Sequence, residues 1–216
     1  MNGDSLTRLT VRLVSEFSVA METLRAGWVA RAGAAAGDEF DERSRHVIVH
    51  RHALPAGMVR ITMGEPSILA TWSRNAAPLP RGAEVAELTR GVVAPPARRL
   101  GIYRLAMLET VLRLRTLGAS IATAAVEPDF PGLRFLGDLG FVAVGRPVLF
   151  DDAPRSRTVA QAIVLEVEAR HEDRWLTMWQ REVGALLTAG YRVDSDLMAS
   201  IEAAGRAWPV GLATSV

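Results

Sequence analysis

Three carboxylates, a set of arginines and three histidines carry the chemistry legible in this chain. Asp38 and Asp41 stand three positions apart just ahead of one apolar run, Glu87, Thr89 and Arg90 lie in another, and Arg60 sits between them in a third. A carboxylate within hydrogen-bond reach of an ammonium group, directly or through one water, can take its proton. A carboxylate pair braced by an arginine can hold a cationic ligand. The stretch Arg98-Arg99-Leu100-Gly101-Ile102-Tyr103-Arg104 places a glycine turn and three arginines at the expected start of a helix. The free N–H groups there form a natural anion site, suited to a phosphate or pyrophosphate group. His46, His50 and His52 share parity on one expected strand, the clustering a metal site needs; exposed strand histidines are common, however, and no metal is expected.

Each feature also has a structural reading. Glu87 is either a general base or one half of a salt bridge with Arg60 or Arg90. Asp38 and Asp41 either hold a cationic acceptor or form an acidic loop capping a strand entry. Arg98, Arg99, Arg104, Arg134 and Arg146 are either a docking patch for an acidic partner or scattered surface charge.

The scaffold follows from hydrophobic period. Glu84 to Val93 reads as a strand closed by Pro95 and Pro96, followed by an apolar-striped helix from about Tyr103 to Leu117 with Gly118 at its C-terminal end. Ile121 to Val126 is a second strand, with a short helix through Leu133 and Leu136 after Pro128. Two parallel strands joined by a helix make a βαβ unit. Strand alternation puts Glu87 and Thr89 on one face and Leu88 and Arg90 on the other, so Glu87 and Arg90 share a face only if a bulge intervenes. Upstream, Arg8 to Leu13 alternates as a half-buried strand. Ser15 is the expected cap of a helix reaching about Arg31, followed by a connection from Gly33 to Gly37. His46 to Arg51 and Met58 to Thr62 form an expected hairpin, with a turn through Pro55 and Gly57 longer than two residues. Pro66 to Arg81 reads as an irregular flap. Downstream, Val142 to Phe150 continues the sheet, Asp151 to Arg157 is a polar connection, and Val159 to Val167 is the expected last strand. Two helices close the chain: about Asp173 to Leu187, stopped near Gly190, and about Ser195 to Ala207, capped by Asp194 or Ser195. Trp175 and Trp179 share one face of the first, where they should pack it on the sheet.

Composition narrows the function classes. The 216 residues suit a domain with a substantial core, and 49% hydrophobic with 23% charged residues is ordinary for a folded protein. A net charge of +1 argues against a general nucleic-acid or membrane-surface binder. There is no cysteine, which removes disulfides, thiol nucleophiles and Cys-bound zinc, and all 25 basic residues are arginine, which removes a lysine Schiff base. No apolar run approaches the ~18 residues of a membrane span and none resembles a signal peptide, so a cytoplasmic location is expected.

The ordered set from strand to strand, with Arg98 and Gly101 in the intervening turn and Leu139-Gly140-Phe141 after the short helix, resembles the GNAT superfamily of acyltransferases. Three further features resemble a narrower group, the acyl-homoserine-lactone synthases and N-acyl amino acid synthases. These are Glu87-Leu88-Thr89-Arg90, Asp38-x-x-Asp41 directly before a strand, and Arg60 in the second hairpin strand. Arg25 on the first helix corresponds to an arginine of the same group. Three positions depart from the pattern: Tyr103 stands where the superfamily's turn has a small residue, Gly91 stands where an apolar residue is usual, and the lid aromatics of the lactone synthases are matched only near Trp28.

The resemblance implies an α/β (α+β) fold with a GNAT-like central mixed sheet flanked by helices. Residues 1–170 would form the acyltransferase domain and 171–216 a C-terminal helical extension packed on it. It implies an N-acyltransferase moving an acyl group, of fatty type, from an acyl carrier protein or acyl-CoA thioester to the amine of an amino-acid-like acceptor. Glu87 would be the base and Asp38, Asp41, Arg60, Thr89 and Arg90 the acceptor site. Val92, Val93, Arg98, Arg99, Gly101, Ile102, Tyr103 and Arg104 would hold the donor's phosphopantetheine arm and phosphate. An ordinary acetyl-CoA-dependent N-acetyltransferase and a non-catalytic thioester- or partner-binding relative are the alternatives, with the protein a monomer or homodimer in each. Tyr103, by narrowing the turn, favours a carrier-protein arm over coenzyme A.

Overall fold

The computed structural model describes residues 6–32, 38–64, 82–150 and 158–203. In chain order these form β1 (Thr7–Val14), α1 (Val19–Ala32), β2 (Arg45–Arg51), β3 (Leu54–Met63), β4 (Val85–Val93), α2 (Ile102–Leu114), β5 (Ile121–Val126), α3 (Leu133–Leu139), β6 (Val142–Phe150), β7 (Thr158–Glu166), α4 (Glu172–Thr188), β8 (Tyr191–Ser195) and α5 (Asp196–Ala203). The eight strands make one mixed sheet in the order β6-β7-β5-β4-β3-β2-β1-β8. This is the GNAT-like α+β architecture. The Gly33 to Gly37 connection, the flap from Pro66 to Arg81 and the connection from Asp151 to Arg157 lie outside the described residues, as does the side chain of Trp28.

The two faces of the sheet are covered differently. Leu9, Val11, Val47, Val49, Val59, Ile61, Ala86 and Leu88 point to the face that carries α2 and α4, and this is the main core. Trp175 and Trp179 of α4 are 2% and 4% exposed within it, as their shared helical face required. Burying a large apolar side chain contributes about 1.5–3 kcal/mol. Each indole N–H is also satisfied, Trp175 Nε1 donating to the Leu139 carbonyl at 2.9 Å and Trp179 Nε1 to Glu109 Oε1 at 2.8 Å. On the opposite face Met21 of α1 packs with Ile48, Met58 and Val92 in a smaller cluster.

Four sequence expectations change. The cap of α1 is Ser18 rather than Ser15: its Oγ accepts from Met21 N at 3.4 Å, and the first helical turn closes from Glu22 N to Ser18 O at 3.0 Å. The hairpin turn is tight, since Arg51 pairs with Leu54 and only His52 and Ala53 lie between. His52 supplies the positive φ (58°) that a two-residue hairpin turn needs. Pro55 belongs to β3, and the irregularity has moved into the ladder, where the register shifts between Val49 and His50. The histidine trio is not on one strand: His46 and His50 keep their parity along the unbroken β1–β2 register, one fully buried and the other half-buried, while His52 is an exposed turn residue. Finally, Thr158–Glu166 is not the last strand. After α4 and Gly190 the chain forms β8, which pairs in parallel with β1 from Thr7↔Tyr191 to Val11↔Ser195. Ser195 then caps α5, its Oγ accepting from Leu197 N at 3.2 Å and Met198 N at 3.4 Å.

Two irregularities in β4 shape the functional region. Its parallel pairing with β5 covers only Val85↔Ile121 through Leu88↔Ala124. Beyond that point Ala125 and Val126 pair with β7 alone, so β4 and β5 part as a fork. In the same place the β3–β4 register passes from Met58↔Val92 to Arg60↔Thr89, leaving Arg90 and Gly91 opposite the single residue Val59. This is a β-bulge. Arg90 carries it at φ 54°, unusual for a residue with a side chain.

Candidate active site

The bulge brings onto one face what strict alternation would separate. Glu87 is opposite Thr62 on β3 and beside Thr123 on β5, one pair short of the fork. Thr89 follows on the same face, and Arg90, turned by its positive φ, joins it: both side chains meet the group formed by Asp38, Asp41 and Arg60.

That group is a dense ionic cluster under α1. Arg25, one helical turn after Met21 on the inward face of α1, is 1% exposed and donates from Nη1 to Asp41 Oδ1 at 2.5 Å. Arg60, on β3, hydrogen-bonds Asp38, approaches Asp41 Oδ1 at 3.1 Å and donates from Nε to Thr89 Oγ1 at 2.9 Å. Arg90 Nη2 donates to Asp38 Oδ2 at 2.8 Å. The two aspartates also fix each other: Asp38 N donates to Asp41 Oδ2 at 2.8 Å and Asp41 N to the Asp38 carbonyl at 3.1 Å. Aromatic rings close the sides, with Arg25 over Phe17 at 4.7 Å and Arg60 over Phe40 at 5.7 Å. Beneath them Ser44 and Thr62 share a hydrogen bond at 2.7 Å.

Three guanidinium groups face two carboxylates, and the protonation states follow. Burial alone would raise both aspartates, yet the hydrogen bonds and charge of Arg90 and Arg60 hold Asp38 below its usual range. The Asp38 backbone N–H and Arg25 do the same for Asp41. Burial lowers Arg25, and Asp41 opposes that shift. His46 Nε2 lies 3.5 Å from Asp41 Oδ1 with its ring against Phe17 at 5.4 Å. Burial outweighs the aspartate, and its pKa falls to about 4. His46 is therefore neutral at pH 7 and the cluster has a formal surplus of one positive charge.

Above the cluster lies an open cleft of about 840 Å³, floored by Asp38 and Asp41 and rimmed by the exposed carboxylates Glu16, Glu22, Glu39 and Glu42. Every charged side chain lining the cleft is thus a carboxylate, and the guanidinium groups of Arg25 and Arg60 are buried behind Asp38 and Asp41. At the fork Thr123, 4% exposed, has a buried hydroxyl with no hydrogen-bond partner among the described residues. Among the described residues no group of three or more His, Cys, Asp or Glu could hold a metal ion.

The other expected site is the turn before α2. Arg99 (φ 64°) and Gly101 (φ 79°) take left-handed conformations and lead into the helix, whose first closing bond runs from Leu105 N to the Gly101 carbonyl at 2.9 Å. The N–H groups of Ile102, Tyr103 and Arg104 precede that bond. Arg98, Arg99 and Arg104 are exposed beside them, as is Arg134 on α3. Val92 faces the α1 side, and Val93 packs against the main core. The residues singled out in the sequence therefore fall into two groups, the ionic cluster under α1 and the turn between β4 and α2, with Glu87 in β4 one pair short of the fork. Reasoning from the residues alone did not find His46 or Phe17 as cluster members. The signal for Arg25 was available: a charged residue one turn after Met21, on the apolar stripe of α1.

No family model matches the sequence, and no curated protein matches it. The fold, in contrast, has many counterparts among solved structures. FeeM, an N-acyl amino acid synthase from uncultured soil microbes, superposes with a TM-score of 0.58 at 15% identity, covering 81% of this chain and 98% of its own. BjaI, a CoA-dependent acyl-homoserine lactone synthase solved with SAM and isopentyl-CoA, gives 0.60 at 14% identity, covering 94% and 99%. A Bacillus subtilis acetyltransferase in complex with CoA gives 0.50 at 12% identity, covering 74% and 99%. The chain is similar in fold to both kinds of GNAT acyltransferase.

Proposed function

We propose that this protein is an N-acyltransferase that moves an acyl group from a thioester to the amine of an amino-acid-like acceptor. The observation that carries this reading is the cluster of Arg25, Arg60 and Arg90 with Asp38 and Asp41, assembled beside Glu87 at the fork between β4 and β5. A fork in a parallel sheet offers unpaired strand backbone to an extended arm, which places a thioester carbonyl near its apex. Glu87 stands at that apex, where a carboxylate can take the ammonium proton so that the neutral amine attacks. The acidic lining of the cleft suits an acceptor that arrives as an ammonium cation. The exposed arginines around the α2 turn supply a complementary surface for an acidic acyl carrier protein. Similarity in fold to an N-acyl amino acid synthase and an acyl-homoserine lactone synthase supports an N-acylated, amino-acid-like product. Similarity to an acetyltransferase bound to CoA keeps short-chain acetylation as the second reading.

The test is mass analysis of small molecules from a host expressing wild-type protein or Glu87→Gln. N-acyl amino acids or lactones present only with the wild type support the reading and identify both substrates. Matching profiles remove the long-chain synthase and leave acetylation, assayed with acetyl-CoA and an amine panel.

A further inference from the structure

Two of the positions at which the sequence departs from the acyltransferase pattern, Gly91 and Tyr103, lie side by side. An ideal Cβ at Gly91 would lie 3.2 Å from Tyr103 Cε2, and one at Gly132, in the loop between β5 and α3, would lie 3.2 Å from Tyr103 Cε1. The Tyr103 ring therefore spans the mouth of the fork, with one edge against β4 and the other against the β5 side. Phe130 and Phe135 meet it edge-on, with centroids at 5.6 and 6.5 Å. Burial pushes its phenol well up, so the group is a neutral wall. The side chain missing from the strand at Gly91 has been replaced by one from the helix at Tyr103.

A second, independent feature occupies the other side of the same turn. Glu182 of α4 reaches the first turn of α2, where its Oε2 accepts from Arg104 Nε at 2.7 Å. Its Oε1 rests against Gly101, so closely that a Cβ there would collide with it. A carboxylate at the N-terminal end of a helix takes the electrostatic position that a phosphate would use, and it engages one of the turn's arginines.

We infer that Tyr103, seated between Gly91 and Gly132, is a specificity-determining residue for the thioester donor, and that with Glu182 it withholds the α2 turn from a nucleotide diphosphate. The donor is thereby selected through its pantetheine arm and acyl chain, and the adenine nucleotide of coenzyme A adds little. This rests on the acyl-transfer reading above and assigns the donor-selecting residues within it.

The test compares acyl-CoA with the acyl-pantetheine of the same chain as donors, and measures binding of free CoA by calorimetry. The proteins are wild type, Tyr103→Phe, Tyr103→Ala, Glu182→Gln and the exchange variant Gly91→Val with Tyr103→Ala. In the wild type and Tyr103→Phe, kcat/KM for the two donors should agree within about threefold. In Tyr103→Ala and the exchange variant the ratio should move at least tenfold toward acyl-CoA, with CoA binding tightened in parallel. Glu182→Gln should tighten CoA in a salt-dependent manner. A wild-type preference for acyl-CoA above tenfold that falls in Tyr103→Ala overturns the inference, as do ratios and CoA affinities unchanged across all variants. If no thioester is turned over at all, the functional reading fails by itself. The CoA affinities then still decide this inference, through gain or no gain in Tyr103→Ala.

Discussion

Arg90 Nη2 lies 2.8 Å from Asp38 Oδ2, 52 positions earlier in the chain, and reaches it because the Arg90 backbone has turned to φ 54°. The bulge and the ion pair are one feature: without the extra residue, Arg90 would face the main core with Leu88.

Replacing Arg90 by glycine should separate its two roles. A left-handed conformation costs a residue with a side chain about 1–2 kcal/mol, and glycine escapes that. Arg90→Gly should therefore unfold within a few degrees of the wild type while KM for the acceptor rises about tenfold or more, equivalent to ~1.4 kcal/mol. Thermal unfolding and steady-state kinetics read the two effects. A large fall in the unfolding midpoint with KM unchanged would make the Asp38 pair structural.

Asp41→Asn should destabilise strongly. It leaves the Arg25 guanidinium, 1% exposed, with a neutral partner, and breaking one side of a buried pair costs about 3–5 kcal/mol. Adding Arg25→Met should recover a large part of the loss by removing the stranded charge. Urea unfolding of the three variants checks both statements; additive losses would contradict the pairing.

His46 makes stability pH-dependent. Its folded pKa of about 4 lies below the ordinary histidine value of 6.5 because burial disfavours the cation. The unfolded chain therefore binds a proton that the folded chain refuses between those values. Stability is full above about pH 6.5, falls as pH drops through that window, and is lost to the extent of up to about 3 kcal/mol by pH 4. Below that, protonation of Asp38 and Asp41, whose folded pKa values are depressed, removes more. The groups facing the imidazole are Asp41, Arg25 and Arg60. A His46→Gln variant should show a flatter urea midpoint between pH 6.5 and 4; a slope equal to that of the wild type would place the proton uptake elsewhere.

Trp179→Phe should remove the donor to Glu109 Oε1 while keeping most of the apolar contact. Glu109 is fully buried, and burial raises its pKa against the pull of Arg113, Ser195 and Trp179. The loss should be about 1–3 kcal/mol. Trp175→Ala, which empties a 2% exposed core position, should lose about 3–5 kcal/mol. Chemical denaturation ranks the two, and the reverse order would mean that α4 is held by its polar contacts.

The βαβ unit was legible because its signals are local: apolar runs, paired prolines, Gly118, and a short helix that Gly140 ends at φ 106°. The group of Asp38, Asp41 and Arg60 was legible as a carboxylate pair braced by an arginine, but how Arg90 joins it was not, since that depends on the bulge. Nothing in an arginine predicts a positive φ. The tight hairpin turn was hidden for the same reason, with His52 doing what Asn or Gly usually signals. β8 escaped because Tyr191–Ser195 is five residues long and only partly apolar, and its pairing with β1 is a purely long-range fact. Tyr103 and Gly91 were each visible as departures, but sequence could not show that they compensate each other.

The parallel pairing of β1 with β8 also bears on how the chain is made. Arg8 and Asp194, which join the two strands, are 186 positions apart. During synthesis β1 and β2 emerge early, yet the outer edge of β1 keeps unsatisfied N–H and C=O groups until β8 has left the ribosome. An open strand edge is a template for pairing with other chains, and contacts of long sequence separation form slowly. β1 is thus translated well before its partner β8 and is completed late. Crowded expression should therefore trap aggregates through β1, and slower synthesis at lower temperature should relieve them.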